Sequence, residues 1–289
     1  MTFRDLLALK AASLEDSETP FLDAAMLLAG AMGIPKSALL ARLPEDAGSG
    51  LEAGAERRFE DFWARRLQGE SVAAILRRKE FFGREFAIDG NVLVPRPDTE
   101  ILVAAALECG DALAGTCGAR LRVHDLCTGS GAVAVTLAAE RPEWIVGASD
   151  ISLGALEVAK ANAKEILGRE LVFRAADLFQ GIDAYFHVVT ANPPYLTSQE
   201  TDGLIAKGWK EPRLALDGGK DGLDLVRRLA SQAAGRMVPG GFLLIETDAL
   251  QSPQARGILE MEGFVDIRVW KDLAGLDRVT GGRMPWRRG

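Results

Sequence analysis

Residues 190–195 read Thr-Ala-Asn-Pro-Pro-Tyr and directly follow a predicted strand. Proline fixes φ and has no backbone N–H to donate, so two consecutive prolines stiffen the loop after Asn192. The Asn192 side-chain oxygen and the Pro193 carbonyl oxygen are acceptors that such a loop can hold in a fixed direction. An amide NH2 group is planar and poorly nucleophilic. It needs both N–H groups held by acceptors before its lone pair can face an electrophilic methyl group. The segment therefore predicts a site that binds a planar NH2 group.

The last two residues of this segment complete the predicted substrate-binding loop. Pro194 and Tyr195 are expected to contact the substrate, and the Tyr195 ring can stabilise the positive character that passes through the transition state. Its phenol need not act as a base. A proline turn that ends in a core tyrosine is the alternative, but it does not predict an asparagine at a strand end opposite a glycine-rich turn. We therefore predict catalytic roles for Asn192, Pro193 and Tyr195.

A run of small residues follows the predicted strand at residues 121–126. Small residues let the backbone approach a ligand where a strand passes into a helix, and ligands bind at such strand ends. Gly129, Gly131 and Ala134 also satisfy the pattern of a dinucleotide-binding turn. A glycine turn can also serve packing alone. A dinucleotide site and a purely structural turn therefore both stay open as alternatives. The predicted cofactor turn consists of Cys127, Thr128, Gly129, Ser130 and Gly131.

Acidic residues follow the next two predicted strands. Asp150 stands about 20 residues after the glycine turn, at a strand end where a carboxylate can accept both ribose hydroxyl protons. Asp177 and Leu178 follow the third strand, where a polar acceptor beside an apolar residue suits an adenine amine and ring. A helix cap is the alternative for Asp150, although Ser152 can also serve as that cap, and a surface turn is the alternative for Asp177. The order of these residues along successive strand ends favours a nucleotide-like cofactor.

The elements that position these residues alternate between strand-like and helix-like segments from about residue 98 onwards, which is typical of helices that cross between parallel strands. Residues 98–289 are therefore predicted to form an α/β domain. We predict helices that include residues 132–140, 153–167 and 253–261. We predict strands at residues 121–126, 144–149, 171–173, 186–191 and 241–246, followed by late hairpin strands around residues 265–269 and 276–280.

The first part of the chain, residues 1–78, is predicted to be a small helical domain. Apolar residues recur at steps of three and four over residues 21–29 and again over residues 51–67, as amphipathic helices require. Residues 79–97 are predicted to be a β-hairpin linker. Asp89-Gly90 is expected to form its tight turn, because this pair tolerates the positive φ angles of a two-residue hairpin.

Composition and charge exclude several classes of protein. Of the 289 residues, 48% are hydrophobic and 26% are charged, which is the balance of an ordinary globular protein. The net charge of −7 disfavours a large phosphate-binding surface, so we expect no direct nucleic-acid partner. No stretch reaches the ~18 apolar residues of a membrane span, and the N-terminus lacks a signal-peptide core. We therefore expect no membrane partner and a cytoplasmic protein.

The cysteine and histidine content predicts no metal site and no disulfide framework. Cys109, Cys117 and Cys127 form no Cys-x-x-Cys pair, and only two histidines are available as further ligands. An odd number of cysteines without a secretory segment also argues against disulfides. These thiols are expected to be reduced and partly buried.

These residues resemble the bacterial release factor glutamine methyltransferases, the HemK/PrmC family, over nearly the whole chain. Besides the loops above, the resemblance rests on residues 94–100 (Val-Pro-Arg-Pro-Asp-Thr-Glu), residues 211–219 (Glu-Pro-Arg-Leu-Ala-Leu-Asp-Gly-Gly) and residues 221–224 (Asp-Gly-Leu-Asp). It implies a class I S-adenosylmethionine-dependent methyltransferase fold, Rossmann-like with a seven-stranded, mostly parallel sheet, behind an N-terminal helical domain that helps to dock the substrate. The implied substrate is the glutamine of the Gly-Gly-Gln motif in class 1 peptide chain release factors, methylated at N5.

The resemblance also assigns site residues. It places the cofactor turn at residues 127–131, the ribose acid at Asp150, the adenine side at Asp177 and Leu178, and the substrate motif at residues 192–195, with Asn192 also beside S-adenosylmethionine. Cys127 departs from the family, which usually has glycine there. Residues 74–77 (Ala-Ile-Leu-Arg) replace the usual Tyr-Ile-x-Gly pattern, and residues 246–249 (Glu-Thr-Asp-Ala) also depart from it.

Other functions share parts of this pattern. A sister family that methylates glutamine in a ribosomal protein also has Asn-Pro-Pro-Tyr and is the first alternative. DNA adenine-N6 methyltransferases use the same motif because an exocyclic amine resembles an amide, but they need a basic surface that holds phosphates while the base is flipped. An adaptor that keeps the pocket only as structure and a nicotinamide-dependent dehydrogenase are the remaining alternatives.

Overall fold

The computed structural model describes residues 1–15, 17–118 and 120–286. The chain divides into two compact units, Met1–Arg78 and Lys79–Gly289. The first unit is helical, and its apolar faces enclose a core that includes Phe3, Leu27 and Phe59. Its helices are α1 (Phe3–Ala11), α2 (Pro20–Met32), α3 (Lys36–Ala41), α4 (Ala47–Gly50), α5 (Ala53–Leu67) and α6 (Val72–Leu76).

The second unit alternates strands and helices. A short hairpin precedes the alternation and consists of β1 (Arg78–Phe81) and β2 (Arg84–Ala87). The helices that follow are α7 (Glu100–Cys117), α8 (Ala132–Glu140), α9 (Leu153–Leu167), α10 (Ser198–Ala206), α11 (Asp224–Ala234) and α12 (Ser252–Met261). The strands are β3 (Arg122–Leu126), β4 (Ile145–Asp150), β5 (Val172–Ala175), β6 (Phe186–Ala191), β7 (Met237–Glu246), β8 (Val265–Lys271) and β9 (Asp277–Arg283).

One seven-stranded sheet organises this unit, in the order β5-β4-β3-β6-β7-β9-β8. Neighbouring strands from β5 to β7 run parallel, and β9 runs antiparallel to both β7 and β8. The predicted fold class, a seven-stranded and mostly parallel sheet with a helical N-terminal part, is confirmed. The chain moves outward from β3 to β5 and then returns to the other side of β3 with β6. Ligands of open α/β sheets bind at such a reversal, beyond the carboxyl ends of the strands.

Helices cover both faces of the sheet, so its central strands are buried. One apolar cluster joins the strands to α7, α8 and α9, and a second joins them to α11 and α12. Strands buried on both faces form continuous apolar runs, as residues 242–245 of β7 do. Within the described residues, no helix combines the length and apolar character that crossing a membrane requires.

The hairpin turn lies elsewhere than the sequence predicts. Phe82 and Gly83 form the turn between β1 and β2, with φ angles of 50° and 70°, whereas Asp89-Gly90 lies beyond β2. The expectation that Asp89-Gly90 forms the hairpin turn was therefore wrong, although residues 89–92 form a separate turn in which the Val92 N–H donates to the Asp89 carbonyl oxygen at 3.4 Å. A phenylalanine disfavours positive φ, but the Phe82 backbone N–H donates to Glu100 Oε1 at 2.8 Å, and this contact helps to stabilise the turn.

Strand β7 begins four residues before the predicted start at residue 241. Met237 pairs with Phe186, and Phe242 pairs with Val188, so the strand carries extra residues between the two pairs. The intervening Val-Pro-Gly-Gly reads as a turn in the sequence. The sheet accommodates it as an irregularity in which Gly240 has a φ of 83° and its α-carbon lies against the Trp286 ring.

Helix α7 contains two glycines with opposite environments, which gives a test of its packing. A Cβ at Gly110 would lie 2.2 Å from the Trp144 ring, whereas a Cβ at Gly115 would meet no atom within 4 Å. We expect Gly110→Ala to lower the free energy of unfolding by about 1–3 kcal/mol through overpacking. Gly115→Ala, its control, should be neutral or stabilising by up to ~1 kcal/mol. Urea unfolding of both variants measures the difference, and equal stabilities would contradict the packing of Trp144 on α7.

Candidate active site

The turn after β3 has an unusual backbone. Cys127, Gly129 and Gly131 all have positive φ, at 54°, 54° and 79°. A Cβ at Gly129 would meet no atom within 4 Å, whereas one at Gly131 would lie 3.0 Å from the Cβ of Ala159. The two glycines therefore have different structural roles. Gly131 permits close packing on α9, and Gly129 leaves open space beside the turn.

Cys127 occupies a position whose left-handed conformation favours glycine. The penalty for an L-residue there is about 1 kcal/mol. The side chain is half-buried and packs against the apolar cluster beneath α11 and α12. Burial, followed by the nearby Asp150 carboxylate, raises the pKa of the Cys127 thiol above its ordinary value. The thiol is therefore neutral at physiological pH and acts as a small apolar side chain.

The Asp150 carboxylate lies at the end of β4 and faces the glycine turn. Its Oδ2 accepts from the Gly129 backbone N–H at 2.9 Å, and its Oδ1 accepts from the Ser152 backbone N–H at 2.9 Å. Ser152, not Asp150, caps α9, because its hydroxyl accepts from the Ala155 backbone N–H at 3.2 Å. Burial raises the pKa of Asp150, and the backbone N–H groups of Ser152 and Gly129 lower it. The carboxylate is thus fixed beside the turn without being needed as a helix cap.

The glycine turn, Asp150 and the next strand end line one cavity of about 540 Å³, a volume within the usual range for cofactor pockets. Its wall contains every residue of the predicted cofactor turn except Gly131, together with Asp150, Asp177 and Leu178. The partly exposed Asp177 also forms an ion pair with Arg228 at 2.6 Å. Asp177 therefore takes part in a surface ion pair in addition to its predicted contact with the adenine. Leu178 has a φ of 54°.

Asp125, which the sequence analysis left without a role, joins the two sides of this cavity. It is 2% exposed. Its Oδ2 accepts from the Thr128 hydroxyl at 2.6 Å, and its Oδ1 accepts from the Thr190 hydroxyl at 2.7 Å. Burial raises the pKa of Asp125 to about 7, while these two hydroxyl groups lower it. Its position at the end of β3, directly before a glycine turn, was the available signal.

The segment Asn192–Tyr195 leaves β6 at the opposite side of the cavity. Asn192 and Pro194 line the cavity, Pro193 is buried, and Tyr195 is partly buried. Burial, followed by the charge of Glu246, raises the pKa of the Tyr195 phenol to about 12. The phenol is therefore protonated at physiological pH. The catalytic and binding roles of these four residues remain predictions.

Residues 217–222 support the Asn192–Tyr195 segment by close backbone contact. A Cβ at Gly218 would lie 2.6 Å from the Pro194 carbonyl oxygen, and a Cβ at Gly222 would lie 2.1 Å from the Tyr195 carbonyl oxygen. No side chain fits at either position. The Gln251 side chain also donates to the Tyr195 carbonyl oxygen, at 2.8 Å. Residues 211–219 and 221–224 therefore support the backbone of the Asn192–Tyr195 segment.

Residues 94–100 meet the same region through side chains. Glu211 accepts from the Val94 backbone N–H at 2.9 Å and from the Arg96 guanidinium at 2.6 Å. Asp98 pairs with Arg278 at 3.1 Å. These contacts join segments that lie more than 100 residues apart in the chain. The motif therefore fixes the loop before α7 beside the Asn192 segment.

Thr99 and Glu246 extend this arrangement to the Asn192 side chain, and the sequence analysis gave neither a role. The Asn192 side-chain Nδ2 donates to the Thr99 Oγ1 at 3.1 Å, and the Thr99 hydroxyl donates to the Glu246 Oε1 at 3.1 Å. Both Thr99 and Glu246 are buried. Local sequence patterns carry no signal for this chain of bonds, because its members lie 93 and 147 residues apart.

The cysteines and possible metal ligands form no second site in the part of the chain that the structure describes. Cys109 and Cys127 are free, and burial raises the pKa of Cys109 to about 12. The side chain of Cys117 lies outside the described residues. Among residues 1–15, 17–118 and 120–286, no group of three or more His, Cys, Asp or Glu side chains is arranged to hold a metal ion.

The cavity fits a cofactor that contains a nucleoside. The open space beside Gly129 admits a close ligand, the Asp150 carboxylate is held at a strand end by backbone donors, and the walls are more apolar than polar. A buried carboxylate that keeps free lone pairs is the expected acceptor for ribose hydroxyl groups. These observations match S-adenosylmethionine better than a group that needs metal or phosphate ligands.

The sheet order, the glycine turn and the acid at the next strand end define a class I methyltransferase. Residues 111–209 match the family model of the methyltransferase small domain, and residues 5–76 match that of the PrmC N-terminal domain. The chain belongs to the release factor glutamine methyltransferase family, and its cofactor is S-adenosylmethionine.

Individual relatives support this assignment along the whole chain. A release factor glutamine methyltransferase from Burkholderia pseudomallei is 41% identical over 273 residues, which cover 91% of this chain and 92% of the relative. One from Neisseria gonorrhoeae is 41% identical over 292 residues, which cover 98% of each chain. A solved methyltransferase from Pyrococcus furiosus, 16% identical with a TM-score of 0.53, covers 78% of this chain and 99% of its own, and shows likeness of fold.

The role of Asp150 can be tested by direct binding. We expect Asp150→Ala to weaken S-adenosylmethionine binding at least ~10-fold, equivalent to about 1.4 kcal/mol, because the ribose hydroxyl groups lose their acceptor. Isothermal titration calorimetry measures the change. Asp183→Ala serves as the control, since the Asp183 side chain is 90% exposed and pairs with Arg236 away from the turn. An Asp150→Ala variant with unchanged affinity would remove Asp150 from the ribose site.

Proposed function

We propose that this protein transfers a methyl group from S-adenosylmethionine to the side-chain amide nitrogen, N5, of the glutamine in the Gly-Gly-Gln motif of class 1 peptide chain release factors. The observation that carries the proposal is the orientation of Asn192. Its Nδ2 is occupied by Thr99, so its Oδ1 is left to accept from a substrate at the cavity. The relatives from Burkholderia pseudomallei and Neisseria gonorrhoeae carry this activity in their names.

The cofactor is held, in this proposal, by the turn from Cys127 to Gly131 and by Asp150, Asp177 and Leu178. When bound, S-adenosylmethionine supplies an electrophilic methyl group on a sulfonium. Gly129 admits the ligand to the backbone, and Asp150 accepts from the ribose hydroxyl groups. The side chains of Asp125, Thr128 and Ser130 are buried on this side of the cavity.

The substrate amide is held by acceptors on the opposite side. Asn192 Oδ1 and the Pro193 carbonyl oxygen accept the two N–H groups of the glutamine side chain, which orients the nitrogen lone pair toward the cofactor side. The nitrogen lone pair would form the new carbon–nitrogen bond while the methyl carbon–sulfur bond breaks and its electron pair stays on sulfur as a neutral thioether. The methylated nitrogen would then release one proton to solvent. Since an amide nitrogen is a weak nucleophile, alignment of this kind is the main source of rate acceleration.

Tyr195 contributes its ring and not its hydroxyl chemistry. Burial raises the pKa of its phenol to about 12, so it does not serve as a base near neutral pH. Its aromatic face is suited to stabilise the positive character that develops on the methylated nitrogen. The support of its backbone by Gln251 and Gly222 keeps the loop, and with it the ring, in place.

The partner and the working compartment follow from this function. The helical unit of residues 1–78 is proposed to bind the release factor outside its Gly-Gly-Gln segment. Residues 79–97 are proposed to link that unit to the methyltransferase domain of residues 98–289. Release factors act in translation, so we propose that the enzyme works in the cytoplasm, without a nucleic-acid or membrane partner of its own.

Mass spectrometry tests the proposed function. A purified class 1 release factor is incubated with the protein and S-adenosylmethionine, and peptides around Gly-Gly-Gln are mapped. We expect a gain of one methyl group on that glutamine. A release factor whose Gly-Gly-Gln glutamine is changed to alanine is the matched substrate control, and ribosomal proteins and duplex DNA are assayed in parallel. Methylation of either of these in place of the release factor would contradict the proposal.

Asn192 is expected to act in turnover and not mainly in cofactor affinity. We predict that Asn192→Ala lowers kcat about 100-fold or more, because the lost acceptor aligns the substrate amide, while the Kd for S-adenosylmethionine changes less than about threefold. Single-turnover kinetics and calorimetry on the same preparation measure the two quantities. Asp183→Ala again serves as the control. If cofactor affinity and turnover fell together by the same factor, Asn192 would be a cofactor residue only.

A further inference from the structure

Glu246 is a buried carboxylate that the mechanism above does not use. It is the last residue of β7 and is 2% exposed. Its Oε1 accepts from the Thr99 hydroxyl at 3.1 Å, while its Oε2 has no hydrogen-bond partner among the described residues. A buried carboxylate with an unmet acceptor destabilises the folded state, so its presence calls for an explanation such as a functional role. Its hydrogen bond with Thr99 leads on to Asn192, whose side chain also lies near enough to Glu246 to lower the pKa of that carboxyl group.

The bonding capacity of Thr99 makes this connection directional. A threonine hydroxyl has one hydrogen to donate and lone pairs to accept with. An ionised carboxylate can only accept, so ionised Glu246 takes the single Thr99 hydrogen. The Thr99 oxygen is then left as an acceptor, and it accepts from Asn192 Nδ2 at 3.1 Å. In this state the Asn192 side-chain oxygen is the end that remains free.

We propose that Glu246 is a positioning residue that acts through Thr99 to determine which end of the Asn192 amide faces the substrate. The proposal rests on the proposed function, because it concerns how Asn192 receives an amide NH2 group. With Glu246 ionised, Asn192 presents an acceptor to the glutamine. Glu246 does not touch the reacting atoms.

The protonated state reverses the direction of the bonds. A protonated Glu246 can donate to Thr99, which frees the Thr99 hydrogen to be donated to Asn192. The Asn192 amide then turns by half a rotation so that its oxygen faces Thr99 and its NH2 faces the substrate. Two NH2 groups facing each other share no acceptor, so the glutamine loses the contact that aligns it.

The surroundings of Glu246 place this change within the neutral range. Burial raises the pKa of Glu246 to about 7, the Thr99 hydrogen bond lowers it, the Asp98 charge raises it, and Arg278 and the Asn192 side chain lower it. Arg278 is shared with Asp98 and Asp272, and the other ionisable group that faces Glu246 is the Tyr195 phenol. Ionisation is complete above the pKa, so turnover should be highest above pH 7 and fall below it.

The first measurement is the pH dependence of kcat at saturating cofactor and release factor, from pH 5.5 to 9. We expect wild-type kcat to be about tenfold lower at pH 6 than at pH 8, the ionised fraction expected for a pKa of about 7. In Glu246→Gln this step should disappear, because the amide does not titrate. Asp125, whose pKa burial also raises to about 7, is retained in both proteins. A step that persists in Glu246→Gln would assign the titration to another group and overturn the proposal.

Thr99 supplies a second test that does not depend on how Glu246→Gln folds. Thr99→Val keeps the shape but removes the hydroxyl, and we expect kcat at pH 8 to fall at least ~10-fold with no remaining step near pH 7. Thr99→Ser restores the hydroxyl and is expected to recover both the step and most of the turnover. The Kd for S-adenosylmethionine should stay within about threefold in both variants. An unchanged pH profile in Thr99→Val would overturn the proposal.

Nuclear magnetic resonance of the cofactor-free protein separates this proposal from the proposed function. The side-chain NH2 signals of Asn192, identified by their loss in Asn192→Ala, should shift with a midpoint near pH 7 in the wild type and not in Glu246→Gln. If these signals shift with pH while no release factor is methylated, the proposed methylation of release factors is wrong and the proposed role of Glu246 is correct. If the release factor is methylated while the signals do not change with pH, the proposed role of Glu246 is wrong and the proposed methylation stands.

Discussion

The hydrogen bonds to the buried Asp125 carboxylate fix the distance between the two sides of the cavity. Thr128 lies in the glycine turn and Thr190 lies two residues before Asn192, and both donate to this one side chain, at 2.6 and 2.7 Å. A buried carboxylate is costly in free energy unless it is fully hydrogen-bonded. Its two hydrogen bonds join the predicted cofactor turn to the strand that precedes the predicted substrate segment. Methyl transfer to a weakly nucleophilic nitrogen depends on alignment of donor and acceptor to within about 1 Å.

The family motifs have a structural explanation that their sequences do not suggest. Gly218 and Gly222 allow backbone to approach the carbonyl oxygens of Pro194 and Tyr195, where any side chain would displace the loop. Glu211 holds the loop before α7 through Val94 and Arg96. These segments come from three parts of the chain and surround one short loop. The segments on which the family resemblance rests therefore stiffen the loop that carries the predicted substrate residues.

Sequence patterns predicted what depends on local chemistry. The helices α8 and α9 and the strand β6 have the predicted bounds, since periodicity and glycine ends are local signals. The turn at Phe82-Gly83 was missed because its phenylalanine disfavours positive φ and a distant side chain, Glu100, holds it. Asp125, Thr99 and Glu246 were missed for a related reason. Their roles arise from contacts between residues 65 to 147 positions apart, and a single sequence gives no measure of such proximity.

Cys127 illustrates how a residue other than glycine can occupy a left-handed position in the turn after β3. Its left-handed backbone, with a φ of 54°, is one that glycine adopts without cost. The turn, however, is held independently of this residue by the Thr128 N–H to the Ser149 carbonyl at 3.1 Å and by the Gly131 N–H to the Thr128 carbonyl at 2.8 Å. Packing of the Cys127 side chain on the adjacent apolar cluster offsets part of the backbone strain, which is about 1 kcal/mol. The constraint at this position is therefore on backbone conformation, and a small apolar side chain that can be buried meets it.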